Sequence, residues 1–303
     1  MRKIVMLPRR EWLGDAYANK TMAPSSDLGR EFQTDGMSYL AGDVPVRVPH
    51  SRYSATNVGA VPFGFEGSEG HSYMLTADFD SDEAVDEYIN NTPAEAVFAD
   101  PQISTFPTVS PAAAVGSTAD VVAGLNLQAL HGANGKGTGV KVVIVDSGID
   151  GTQINVAGGF NPRPGVAPGT AAPDHGTMVA FDALIAAPNA LIYDYALLQS
   201  TGGMWVGFLS DAIRAFAEVL ASHLQLPGPM IVVNSWGMYD TSTDAPVGNP
   251  QNYSRNPGHP FSQMINAAIG SGIDVVFAAG NCGAAKPDKR CGATDTGPGN
   301  SIH

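Results

Sequence analysis

Three residues of this sequence combine suitable side chains with settings that could support acid–base chemistry. Asp146 closes the run Lys141-Val142-Val143-Ile144-Val145 and is followed by Ser147 and Gly148. His175 follows 29 positions later, within Asp174-His175-Gly176-Thr177-Met178-Val179-Ala180. Asn281 closes Val275-Val276-Phe277-Ala278-Ala279-Gly280. A carboxylate beside an imidazole fixes the ring's tautomer and stabilises its charged form, which equips the ring as a general base. A carboxamide N–H aimed into a cleft can hold a developing oxyanion. Taken singly, each residue has a plainer reading. Asp146 could cap a turn, His175 could be a helix-start histidine, and Asn281 could adopt a left-handed turn after Gly280.

The elements that must position them are legible in outline. An unalternated, mostly β-branched run predicts a strand buried on both faces of a parallel sheet. Asp146 then stands at that strand's carboxyl end, where open α/β sheets gather their ligands and catalytic groups. Gly148 permits a sharp turn. Beyond it, residues 155–174 read as a proline-containing loop and 177–187 as an apolar helix stopped before Pro188. A strand over 190–198 follows, then a helix within 203–224 with Asp211, Arg214 and Glu218 on its wet side. A strand over 229–235, a helix over 261–270 and a strand over 273–279 complete the pattern. Strands alternating with helices predict a parallel sheet with right-handed crossovers.

Upstream the pattern changes. Residues 1–40 carry no firm element and stay unassigned. Val44–Val48 alternates as a strand would, and 72–79 is a clearer strand. Ser81 reads as an N-cap, with Asp82 and Glu83 in the first turn of a helix to about Asn90. A short strand at 96–98 follows. Residues 41–105 therefore predict a small α+β domain. Residues 106–118, rich in Pro, Ser, Thr and Ala, read as a linker. The α/β domain occupies 119–303 and opens with a short helix capped by Asp120.

Composition narrows the function classes. The chain has 303 residues and an apolar fraction of 44%, enough for a sizeable core and a prior of about two domains. The net charge of −13 argues against a nucleic-acid partner, which needs a basic face. The apolar run near the N-terminus is broken by Pro8, Arg9 and Arg10, too early for a signal sequence, and no stretch is long enough to span a membrane. The default expectation is a cytoplasmic protein without a membrane partner, with secretion by another route left open. Two cysteines, Cys282 and Cys291, could form a disulfide or remain thiols.

Val145-Asp146-Ser147-Gly148, His175-Gly176-Thr177-Met178-Val179-Ala180 and Ala278-Ala279-Gly280-Asn281, in that order, resemble the subtilisin-like serine peptidases (subtilases, peptidase family S8). Each motif alone is weak; three in order are specific. The resemblance runs from about Ala119 to about Asn300. It implies a subtilisin-like parallel sheet with helices on both faces. It also implies a serine endopeptidase in which Asp146 orients His175 and Asn281 holds the oxyanion. Ser235, Trp236 and Gly237 are similar to the family's substrate-cleft segment, although a plain strand-to-loop turn is the alternative, and Trp236 could serve packing or pocket. Ser200-Thr201-Gly202-Gly203 resembles the strand that pairs with substrate backbone, with Gly202 and Gly203 as the substrate contacts. The implied partners are a peptide or protein substrate and the chain's own propeptide-like domain, 41–105, whose end near Val97–Pro101 would lie in the cleft. The chemistry implied requires no cofactor and no metal. Structural calcium accompanies the resemblance, but no oxygen-ligand run identifies a site.

One departure counts against a complete enzyme. The family's nucleophile lies in a Gly-Thr-Ser-Met-Ala segment downstream of the oxyanion Asn, and no such segment occurs here. Ser147, Ser235 and Ser301 have other contexts. The expectation is a catalytic domain incomplete at its C-terminus, inactive alone, with the serine supplied by a missing C-terminal segment. The alternative is a truncated or degenerate non-catalytic homologue that binds or inhibits. Two other motifs fail. The glycine-rich stretch 132–139 has its lysine misplaced for a phosphate loop, and Gly148 stands where an aspartyl-phosphate motif needs a second acid.

Overall fold

A computed structural model of the chain describes residues 2–8, 54–56, 72–79, 81–91, 96–105, 116–162, 166–172, 174–201, 204–237, 245–249, 252–253 and 255–279. They belong to two compact units. Met1–Pro101 with Thr243–Met264 forms the first, and Gln102–Ser242 with Ile265–His303 the second.

The first unit is built on an antiparallel sheet. Its strands are β1 (Arg2–Pro8), β2 (Ser54–Thr56), β3 (Ser72–Asp78) and β4 (Ala96–Ala99), in the order β2-β3-β1-β4. Helix α1 (Asp82–Asn91) starts where expected, with the Ala84 N–H donating to Ser81 Oγ at 3.2 Å. Ile4, Phe79, Val85, Val97 and Phe98 are buried. Arg2 Nε meets the buried Asp100 carboxylate at 2.6 Å. β1 is an inner strand of this sheet, although residues 1–40 yielded no element from sequence. The predicted strand at Val44–Val48 lies outside the described residues. Ala96–Ala99 pairs with β1 as part of this sheet, and a different segment, just beyond it, joins the sheet in the second unit described below.

The second unit carries the α/β pattern. Five parallel strands lie in the order β13-β11-β6-β8-β7. They are β6 (Lys141–Asp146), β7 (Val156–Phe160), β8 (Leu191–Ala196), β11 (Met230–Asn234) and β13 (Asp274–Phe277). β6 is central and buried along its whole length, as its unalternated run predicts. On one face, Val142, Ile144 and Ile192 pack with Ile149, Ile154 and Ala180, the last on helix α4 (His175–Ala186). On the other face the Tyr195 hydroxyl lies 3.4 Å from Ser222 of helix α5 (Leu209–Gln225). Burial pushes that phenol up to about 12, the Ser222 contact opposing the shift only in part. α5 buries Leu209, Ile213, Phe216 and Val219, leaving Asp211, Arg214 and Glu218 half-buried beside that stripe. Helix α6 (Pro260–Gly270) then leads to β13.

Several elements differ from the sequence reading. β7 falls inside the predicted loop; its two glycines hide the strand signal, and it lies at the sheet edge. The helix expected from Asp120 is two short helices, α2 (Thr118–Gly124) and α3 (Leu127–Gly132), parted by Asn126 at φ 51°. Ser117, not Asp120, caps α2, and Asp120 completes a capping box. β13, expected to be buried, is an edge strand of the described sheet, with Val276 50% exposed.

A second sheet in this unit is antiparallel, in the order β12-β5-β10-β9. Its strands are β5 (Gln102–Thr105), β9 (Gln199–Thr201), β10 (Met204–Phe208) and β12 (Trp236–Gly237). Among the described residues no helix is long and apolar enough to cross a membrane, and no group of three or more His, Cys, Asp or Glu could hold a metal ion.

Candidate active site

The centre of the site is set by where two elements end and begin. β6 delivers Asp146 at its carboxyl end, 1% exposed, and α4 begins at His175. Both carboxylate oxygens of Asp146 lie 2.9 Å from His175 Nδ1. Asp146 Oδ1 also accepts the Ser147 N–H at 2.6 Å, which ties the carboxylate to the turn that follows it. With Nδ1 donating to Asp146, Nε2 is the nitrogen left to accept a proton, and the side chain is 18% exposed.

The electrostatics follow from that placement. Burial alone would lower the His175 pKa; the Asp146 hydrogen bond and charge, with the charge of Asp174, outweigh it and hold the ring above its ordinary value. Asp174 is also the N-cap of α4, its Oδ1 accepting the His175 N–H at 2.7 Å. Its charge stands at the positive end of the helix. It thus also has a structural task at the start of this helix.

The elements carrying Asp146 and His175 are joined by contacts that sequence reasoning missed. Ser147 Oγ accepts the Gly176 N–H at 3.0 Å, and Thr177 Oγ1 accepts the Asp150 N–H at 2.9 Å. Asp150 closes its own turn, accepting from Thr152 N–H at 2.9 Å and from Gln153 Nε2 at 2.9 Å. Gly148 has φ +105°, and a Cβ there would lie 2.8 Å from the Ala171 Cβ. The available signal was the small or hydroxylic residue directly after Asp146 and shortly after His175.

The remaining predicted positions are placed in part. β13 runs parallel to β11, and β11 to β6, so its carboxyl end lies at the same edge of the sheet as Asp146. Asn234 closes β11 there and donates through Nδ2 to the Val276 carbonyl at 3.2 Å. Asn281 lies outside the described residues, as do Gly202, Gly203, Cys282 and Cys291. Ser235 is half-buried between β11 and β12. Trp236 is fully buried with its ring edge-on to Phe277, centroids 5.8 Å apart.

Trp236 and Gly237 pair antiparallel with Thr105 and Ser104. On the other side of the same strand, Gln102, Ile103 and Ser104 pair with Phe208, Gly207 and Val206. β5 therefore lies between β10 and β12 and pairs with both. Ile103 is buried, and a Cβ on Gly207 would stand 3.7 Å from Ile103 Cγ1. The backbone pairing on this side runs through Val206–Phe208.

Residues 137–302 match the model of the subtilase family, Peptidase_S8. Among curated proteins, the chain is 28% identical to subtilisin E of Bacillus subtilis (strain 168) over 167 residues, covering 51% of this chain and 38% of that protein. It is 29% identical to an alkaline protease of Alkalihalobacillus alcalophilus over 166 residues, covering 52% and 37%. It is 31% identical to subtilisin BL of Lederbergia lenta over 157 residues, covering 52% and 53%. The chain thus spans roughly two fifths to one half of the length of these relatives.

Proposed function

The chain belongs to the subtilase family, and we propose that it carries the acid and base of a serine endopeptidase of the subtilisin type. The observation that carries this reading is the Asp146 carboxylate set 2.9 Å from His175 Nδ1 by both oxygens. Asp146 holds the Nδ1–H tautomer and stabilises the imidazolium. His175 Nε2 takes the proton of a serine hydroxyl as that oxygen attacks a peptide carbonyl, and later gives it to the leaving amine. Asn281 donates to the tetrahedral oxyanion. The serine belongs to a Gly-Thr-Ser-Met-Ala segment that residues 1–303 do not contain. The organic chemistry requires no cofactor.

An extended peptide binds by adding a strand between β10 and β12, with Ser235, Trp236 and Gly237 along one side. What supports this is that β5 already occupies such a place, pairing with Gly237 on one side and Gly207 on the other. Residues 41–105 then act as a propeptide-like inhibitor in cis, with Gln102–Thr105 as the segment in the cleft.

Labelling with a fluorophosphonate, read by intact mass, tests the assignment. The 303-residue chain alone should give no adduct. Co-expressed with a subtilase segment bearing Gly-Thr-Ser-Met-Ala, it should give an adduct on that serine, lost in His175→Ala. Stoichiometric labelling of the chain alone would place an activated serine within it and overturn the assignment. Labelling that survives His175→Ala would remove His175 as the base. A co-expressed chain that binds peptide but never labels would favour the non-catalytic alternative.

A further inference from the structure

Asp194 is an acid that the proposed chemistry does not use. It sits in the middle of β8 and is 1% exposed, at a position that a buried parallel strand ordinarily fills with an apolar residue. The register pairs Asp194 with Ile144 and Ala196 with Asp146. Asp194 and Asp146 therefore project from the same face of neighbouring strands. Burial pushes the Asp194 carboxyl up, and the charge of Asp146 adds to the effect; the Gly169 amide opposes it, while Oδ1 has no hydrogen-bond partner among the described residues. A buried carboxyl is costly unless hydrogen bonds hold it, so what it holds is informative.

Its Oδ2 accepts the Gly169 N–H at 2.8 Å. Gly169 begins a short stretch that pairs with the turn after Asp146. The Gly151 N–H donates to the Gly169 carbonyl at 2.9 Å, and the Ala171 N–H donates to the Ile149 carbonyl at 3.2 Å. Asp150 and Thr170 form the antiparallel bridge between them. One of the paired strands leaves Asp146, and the other runs toward Asp174 and His175. The same Asp150 is held from above by Thr177 of α4. Asp194 thus holds, through the Gly169 amide, the bridge that joins the chain segment after the acid to the segment before the base.

We infer that Asp194 is a positioning residue: by holding the Gly169 amide it fixes the 169–171 stretch against the 149–151 turn, and through that pairing sets His175 against Asp146. The inference rests on the Asp146–His175 pair being the acid–base pair proposed above. Asp194 touches no reacting atom.

The test is the titration of the His175 ring in the full 303-residue chain, followed by nitrogen NMR of the imidazole and assigned by its loss in His175→Gln. Asp194→Asn removes the charge but keeps an oxygen for the Gly169 N–H. Asp194→Ala removes both. The expected result is a His175 pKa above its ordinary value in wild type and in Asp194→Asn, falling toward the ordinary value in Asp194→Ala. A pKa that stays raised in Asp194→Ala overturns the inference. An equal fall in both variants overturns it too, because charge rather than the hydrogen bond would then be acting. Should the alanine chain fail to fold, Asp194→Val, which suits a buried strand, replaces it with the same expected fall. A His175 that is not raised even in wild type sinks the acid–base pair itself, and this inference with it. That outcome is distinct from a raised wild-type value that Asp194→Ala leaves unmoved.

Discussion

Gly176 lies so close to Gly148 that a Cβ on Gly176 would stand 2.5 Å from the Gly148 carbonyl oxygen. The obstructing atom is backbone, and the backbone belongs to the turn directly after Asp146. It cannot rotate away as a side chain would. Gly176→Ala should therefore cost about 1–3 kcal/mol, in the range of overpacked interiors. Urea unfolding measures the change, and an unaltered midpoint would contradict the close approach.

Ser147 and the Gly176 N–H form a separate link between the same two elements. Ser147→Ala leaves that buried donor without its acceptor. The expected loss is about 1–3 kcal/mol, the cost of orphaning a buried polar group. Thermal unfolding of Ser147→Ala against wild type reads it directly. Because Ser147 and Gly176 touch, the double variant Ser147→Ala/Gly176→Ala should depart from the sum of the single effects.

The pH dependence has a definite sign. The folded His175 pKa is raised above the reference 6.5, because the Asp146 hydrogen bond and charge outweigh burial. Folding then takes up a proton over the interval between the two values. The pair's contribution is complete below the unfolded pKa and is lost as pH rises through the folded one. The stability difference between wild type and His175→Gln should thus be larger at about pH 6 than at about pH 9. A difference that grows with pH would have the wrong sign for this ion pair.

Ile103 tests the added strand. It is 1% exposed within β5, opposite Gly207. Ile103→Ala removes buried apolar volume, a change that typically costs about 2–5 kcal/mol when the whole fold depends on it. Ile103→Asp should release Gln102–Thr105 from its two neighbours. Amide exchange at Ser104 and Gly207 should then speed up, while Val143 and Ile144 in the parallel sheet keep their protection. Loss of protection throughout would mean that β5 is part of the core rather than a strand laid onto it.

How much of this was legible follows from how local each signal is. β6 announces itself because every residue from Val142 to Val145 is apolar, and buried parallel strands are made that way. Asp146 and His175 could be paired because each sits in a short motif at the end or start of an element. β7 could not be seen, since Val156-Ala157-Gly158-Gly159-Phe160 reads as loop, and its Gly159 is required by the neighbouring backbone: a Cβ there would collide with the Asp194 carbonyl. β1 is not legible locally because its partners in β3 and β4 lie 64 to 96 residues away in sequence. The tasks of Ser147, Thr177 and Asp194 depend on contacts 25 or more residues apart, between polar groups that carry no periodicity. Such relations exist only once the chain has closed on itself.

The strand β5 is covalently continuous with the protein whose cleft-like pairing positions it fills. A peptide that binds there as proposed competes with β5 as with a tethered ligand, whose effective concentration is set by the tether. Dilution does nothing to relieve that competition. Cutting the tether would change its molecularity. The same residues would become a dissociable ligand, present only at the concentration of the protein itself, and occupancy of the sites along Trp236-Gly237 and Val206–Phe208 would then fall on dilution by mass action.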